Sequence, residues 1–205
     1  NRLKSLILFY SIFTAILGLY SSLRSSILTD INLPEEYFGI IYAILQIISG
    51  IAVRKQSWFD NRYRNRTLTV FALTSTLSMI AIGLCEIIGL NFGLSLEIIF
   101  IMLALQYMVK GPYYTLIKRY LNSFSSSSMR PKIYSAMELP YSIIRAIISF
   151  ACSWFLDFTT TSYVYVILGC IFTVIFIFLL DHMKTTVGLK PEEYTKKDIN
   201  FTELH

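Results

Sequence analysis

Four stretches of this chain run for most of a membrane thickness without a charged side chain: residues 6–23, 37–53, 67–85 and 158–180. A bilayer core takes about 20 apolar residues per helical crossing. Two further stretches, near 98–117 and 133–156, are as long but carry charge, Lys110 in one and Glu138 and Arg145 in the other. Helices are expected, since a barrel would alternate in segments of about ten residues. The composition agrees: 55% of the 205 residues are hydrophobic and 15% charged, with mean hydropathy +0.58. This excludes a soluble globular enzyme, a disordered chain and a collagenous one. The fold class expected is an all-α membrane protein. Its body is a six-helix transmembrane bundle over 1–182, with spans near 5–26, 36–54, 67–88, 96–118, 131–156 and 158–181. A polar cytoplasmic tail follows at 183–205.

Charge sorts by loop. Alternating six spans puts 15 of the 18 Lys and Arg on one side: Arg2 and Lys4, the 54–66 loop, the 118–132 loop and the tail. Asp30, Glu35, Glu36, Glu86, Glu97 and Asp157 fall on the other. The bias of Lys and Arg toward cytoplasmic loops then predicts both termini in the cytoplasm of a cell-membrane protein. The net charge of +5 is thereby a topology signal, not a nucleic-acid surface. Arg24 reads as an interfacial anchor that snorkels or pairs with Asp30 or Asp157. Asn32 reads as the cap of a helix opening with Pro34, Glu35 and Glu36. The 123–131 segment, with four consecutive serines, reads as a polar loop, and Pro131 as the opening of the fifth span. The first residue is Asn, not Met, and the first apolar run is too long for a signal peptide. A piece of a longer protein is therefore expected, or a processed chain.

Cys85, Cys152 and Cys170 all lie in apolar runs, and His182 and His205 sit at the end of the last span and of the chain. That pattern gives no metal-ligand spacing, no disulfide framework and no Ser/His protease pair. No HExxH, Walker A loop or GxSxG with a usable histidine occurs. No metal, cofactor or catalytic activity is expected.

The intramembrane charges carry the functional expectation, because each costs at least about 2.5–3.5 kcal/mol near the bilayer centre. From the helical rise, Lys110 lies about 12 Å and Glu138 about 9 Å from the cytoplasmic edge, with Arg145 about 20 Å deep. Glu138 and Arg145 share a face with Tyr141 and Ser142. Gln106, Lys110 and either Tyr113 or Tyr114 make a stripe on the fourth span, and Gln106 sits near the depth of Arg145. Pro112 and Pro140 interrupt the backbone beside Lys110 and Glu138, as prolines do where freed carbonyls line a cavity. One reading is a pocket. Arg145 and Lys110 bind an anionic group, and Gln106, Gln46, Tyr141 and Tyr20 orient the solute. Glu138 carries a proton in that reading. The other reading is a plain interhelical ion pair between Lys110 and Glu138.

Span one, an acidic outer loop and LPEEYFGIIYAILQI lead into FDNRYRNRTL and, later, YLNSFSSSSMRPKIYS. With the hydropathy layout, these resemble the C-terminal half of a major facilitator superfamily transporter, over about 2–182. FDNRYRNRTL stands where that family has a short charged cytoplasmic motif, here Asp60, Arg62, Arg64 and Arg66 without the motif's glycines. The resemblance implies a 3+3 inverted repeat in which the first, second, fourth and fifth spans line the cavity and the third and sixth face lipid. It also implies a partner, either an N-terminal six-helix half or a second copy, within a lipid bilayer. The activity implied is secondary transport of a small organic solute by alternating access, coupled to protons. Two alternatives stand beside it: export of amphipathic compounds, suited to the 15% aromatic content, and a half-transporter or accessory protein that moves nothing.

Overall fold

The computed structural model describes residues 2–63, 66–89, 91–124 and 130–186. Those residues form helices joined by short turns, with no strand among them. The helices are α1 (Arg2–Asp30), α2 (Phe38–Arg54), α3 (Gln56–Tyr63), α4 (Thr67–Ile87), α5 (Phe92–Phe124), α6 (Arg130–Leu156) and α7 (Thr161–Thr186). All but α3 are long and apolar enough to cross a membrane. The expected serine loop and the tail fall at 125–129 and 187–205, outside the described residues.

Sequence punctuation explains where the helices stop, with one correction. Asn32 does not cap the second span. It adopts φ 59°, and the Leu33 amide donates to the Leu28 carbonyl at 3.1 Å while the Asn32 amide donates to Thr29 at 2.8 Å. This left-handed closure ends α1, a position that short polar Asn tolerates almost as well as glycine. Glu35–Tyr37 then makes a single 3-10 turn before α2. Gly89, at φ 69°, follows the end of α4 in the same way.

The helices pair unequally. α4 packs most extensively on α7, α1 on α6 and α2 on α5, with further packing of α4 on α5 and α1 on α7. Lipid tails are as apolar as leucine, so hydrophobic burial cannot drive these contacts and close backbone approach must. Glycines mark the approaches. A Cβ on Gly83 would stand 2.5 Å from the Ser162 carbonyl of α7, and one on Gly169 would stand 2.6 Å from Ile80 of α4. A Cβ on Gly111 would meet Ser49 and Val53 of α2 at 2.8 Å or less.

α1 is the central helix. Of its apolar window 61% is buried, against 11% for α2 and 6% for α6, so those two stand on the outside. Phe9 and Phe13 of α1 meet Tyr113 of α5 and Phe176 of α7 in one aromatic core, the Phe13 and Tyr113 rings edge to face at 4.5 Å. Phe59 of α3 lies against Phe71 of α4, which seats the short helix at the end of the bundle. Asp30 at the end of α1 lies within electrostatic range of Glu86 at the end of α4, so these two acids share one end of the bundle.

Candidate functional site

Away from the helix ends, the ionised side chains of the spans are Arg24, Lys110, Glu138 and Arg145, on α1, α5 and α6. On α1, positions 10, 14, 17, 21 and 24 recur at helical spacing and form one stripe. The charged groups of α5 and α6 gather beside that stripe in two clusters.

The first cluster joins α1 to α6. Tyr10 donates to Glu138 Oε1 at 3.0 Å, and Arg145 Nη1 donates to the Tyr141 hydroxyl at 2.7 Å. The Tyr10 and Tyr141 rings lie 6.3 Å apart. Arg145 lies against α1 at Gly18, where a Cβ would stand in ordinary contact, 3.4 Å from the guanidinium carbon. Tyr114 of α5 is within electrostatic range of Glu138, Tyr141 and Arg145. Tyr113, one residue earlier, is fully buried, and its hydroxyl shares a hydrogen bond with Thr14 at 3.0 Å. The α5 stripe therefore continues through Tyr114, while Tyr113 belongs to the core. Glu138 and Arg145 are both exposed.

The second cluster joins α1, α2 and α5 around a narrow, partly open cleft of about 10 Å³, lined by Leu17, Tyr20, Ser21, Arg24, Leu103, Gln106, Tyr107 and Lys110. Arg24 lies with its guanidinium carbon 3.5 Å from the centroid of the Tyr42 ring and donates through Nη1 to the Tyr107 hydroxyl. Lys110 Nζ stands 5.2 Å from the centroid of that same Tyr107 ring, and the Arg24 guanidinium carbon 5.6 Å from it. Two cations thus flank one ring. At a separation on the order of 10 Å they repel by roughly 1.7 kcal/mol at an effective dielectric of about 20. Neither forms an ion pair with a carboxylate among the described residues. Gln106 is 3% exposed, and its Nε2 is buried without an acceptor, as is Nε of Arg24.

Several expectations change here. Lys110 and Glu138 do not pair. α5 packs on α2 and α4 whereas α6 packs on α1, so the two helices share no extensive contact. Gln106 faces Arg24, not Arg145. Arg24 is no anchor paired with Asp30 or Asp157. α1 continues seven residues past Leu23, which leaves Arg24 nearly two turns inside the helix and turned onto Tyr42 and Tyr107. Tyr20 lines the cleft with its ring, but its hydroxyl donates to the Ser75 carbonyl of α4. Gln46 is exposed one turn beyond Tyr42. In the loop motif, Arg62 and Arg66 are exposed, while Arg64 and the Asp60 side chain lie outside the described residues. Tyr42, beside Gln46 on the second span, is a contributor that the sequence offers, whereas Tyr10 and Tyr107 are harder to see there. The one signal was that Tyr107, Lys110 and Tyr114 recur at i, i+3 and i+7 on one helix face.

Cys85 and Cys152 are buried and Cys170 is exposed. Among the described residues, no three His, Cys, Asp or Glu side chains are placed to share a metal ion. No family model matches the chain, and no curated protein or solved structure is found to be similar to it.

Proposed function

We propose that the chain is half of a secondary transporter of the major facilitator type, and that it moves a small organic solute, preferentially an anion, by alternating access coupled to protons. The observation that carries this reading is the grouping of Arg24, Lys110, Glu138 and Arg145 along one stripe of α1, on the helices that pair across it. Ionised groups at membrane depth are costly unless they border water or a ligand.

The helix pairing supports an inverted repeat. Exchanging the first three spans for the last three sends α1, α2 and α4 to α5, α6 and α7. That exchange turns the α1–α6 pairing into α5–α2 and the α1–α7 pairing into α5–α4, and it leaves α4–α7 unchanged. All of these pairings occur. Counting six spans does not force such a pattern, whereas two structurally alike halves related by a two-fold axis do. The charges also avoid the middle of α4 and α7, the spans that the resemblance turns toward lipid.

In this reading, Arg145 and Lys110 meet the solute, Tyr141 and Gln106 orient it, and Glu138 gains and loses a proton as the cavity faces the two sides in turn. The body that rocks against this one sits on α2 and α6. Both present rows of large exposed apolar side chains, Ile40, Ile44, Ile47 and Ile51 on one and Leu139, Ile143, Ile147 and Phe150 on the other. A preceding six-helix half or a second copy would serve. The same rows favour a second reading, an accessory half that docks on a transporter and moves nothing itself.

Uptake of labelled benzoate into proteoliposomes, with and without an inward proton gradient, separates the two. The transport reading expects gradient-driven accumulation that an uncoupler abolishes. Equal, gradient-independent leak in protein-containing and empty vesicles would overturn it.

A further inference from the structure

The cleft between α1 and α5 has an electrostatic fault that one kind of ligand would correct. Its polar lining consists almost wholly of donors. Arg24 and Lys110 are cations with no acceptor to offer. Arg24 Nε and Gln106 Nε2 are buried donors left without partners. The Tyr107 hydroxyl already accepts from Arg24, so its own proton is free to be donated. An unmet buried donor costs about 1–3 kcal/mol, and two such donors beside two like charges need a reason. An ammonium would add donors and repulsion. A carboxylate supplies acceptors only, and its charge relieves the Arg24–Lys110 repulsion.

We infer that the open mouth of this cleft, too narrow inside for more than a water, is a carboxylate-binding subsite in which Arg24, stacked on Tyr42, is the principal ligand, with Lys110 and Gln106 closing on the same group. The inference deepens the transport reading by naming the chemistry of the solute and its point of attachment. It places the anion on the α2–α5 flank of α1, apart from Arg145, which lies on the α6 flank with Glu138 and Tyr141. Tyr42 holds the guanidinium in place, so the fork loses little freedom on binding. The polar residues on the other flank are then free to serve the proton, or the rest of the solute.

The test titrates the whole purified chain in detergent at low salt with benzoate, benzamide and benzylamine, which share one shape and differ in charge. Binding is read by equilibrium dialysis and by the rise in unfolding temperature. Saturable binding of benzoate alone is expected, weakened at least tenfold by Arg24→Gln and by Lys110→Gln, partly restored in Arg24→Lys, and changed less than twofold by Arg54→Gln, at the exposed end of α2. Ser21→Leu narrows the cleft without removing a charge, and it gives the same loss if the charge variants fail to fold. Benzylamine binding as tightly as benzoate would overturn the inference, as would absence of saturable benzoate binding. So would loss of binding in Arg145→Gln with retention in Arg24→Gln. Benzoate binding that depends on Arg24 without any flux would leave the subsite standing and remove the transport reading.

Discussion

Tyr10 of α1 donates to Glu138 Oε1 of α6 at 3.0 Å, across 128 residues of sequence. The Glu138 carboxylate, well inside α6, is thereby held by a phenol and not by Lys110. The glutamine amide oxygen can still accept from Tyr10, so Glu138→Gln preserves this contact and removes the exchangeable proton. Uptake by Glu138→Gln proteoliposomes is expected to lose its dependence on a pH gradient while exchange down a solute gradient persists. A gradient dependence equal to that of the wild type would show that the proton travels elsewhere.

The α4–α7 crossing depends on the absence of side chains. At Gly83 a methyl group would strike the backbone of Ser162 and the side chain of Val166 at 2.5 and 2.7 Å. Backbone cannot step aside as a flexible side-chain tip can. Gly83→Ala is therefore expected to cost about 1–3 kcal/mol. At Gly39 nothing lies within 4 Å, and Gly39→Ala should be neutral or stabilising by up to about 1 kcal/mol through helix propensity. Unfolding in graded denaturing detergent ranks the two variants, and equal stability would contradict the described packing.

Tyr113 joins α5 to α1 twice, through its ring against Phe13 and through its hydroxyl with Thr14. Tyr113→Phe keeps the first contact and removes the second. Interhelical hydrogen bonds in membranes contribute about 0.6 kcal/mol on average and about 1.7 at most, so a loss in that range is expected in the same unfolding measurement. A double-mutant cycle with Thr14→Val should return the same coupling. A loss above about 3 kcal/mol would mean that the ring itself has moved.

The proposed orientation places Asp30 and Glu36 outside and Ser57 inside. In a background with the three native cysteines replaced, Asp30→Cys and Glu36→Cys are expected to react with an impermeant maleimide in intact cells. Ser57→Cys should react only after permeabilisation. The reverse pattern would invert the topology.

How much was legible in the sequence follows from what each signal measures. Charge-free runs report length and apolarity, so the six long helices were readable to within a few residues. Helix ends were less so. Asn32 suits a cap and a left-handed stop equally well, and only the bonds to Leu28 and Thr29 decide it. The helical rise gives a distance along a span and nothing more. Adjacency does not follow from depth, because it depends on which helices touch. α5 and α6 are neighbours in sequence but each packs chiefly elsewhere. Arg24 is similar: the sequence places it near the end of the first span but not beside its partners Tyr42 and Tyr107, which other helices supply. Tyr42 could be placed beside Gln46 on the second span, whereas Tyr10 and Tyr107 could not be separated from the other tyrosines, which hydropathy assigns to interfacial belts.

The central claim is that the stripe of α1 and the charges beside it border a hydrated passage. Cysteine scanning with a charged, membrane-impermeant thiosulfonate reads this directly. In the cysteine-free background, Lys110→Cys, Tyr114→Cys, Glu138→Cys, Tyr141→Cys and Arg145→Cys are predicted to react. Ile177→Cys and Phe178→Cys, on the apolar exposed face of α7, are predicted to stay unmodified. If the five prove as inert as the two on α7, the charges lie in dry packing or lipid, and the account of a solute passage is contradicted.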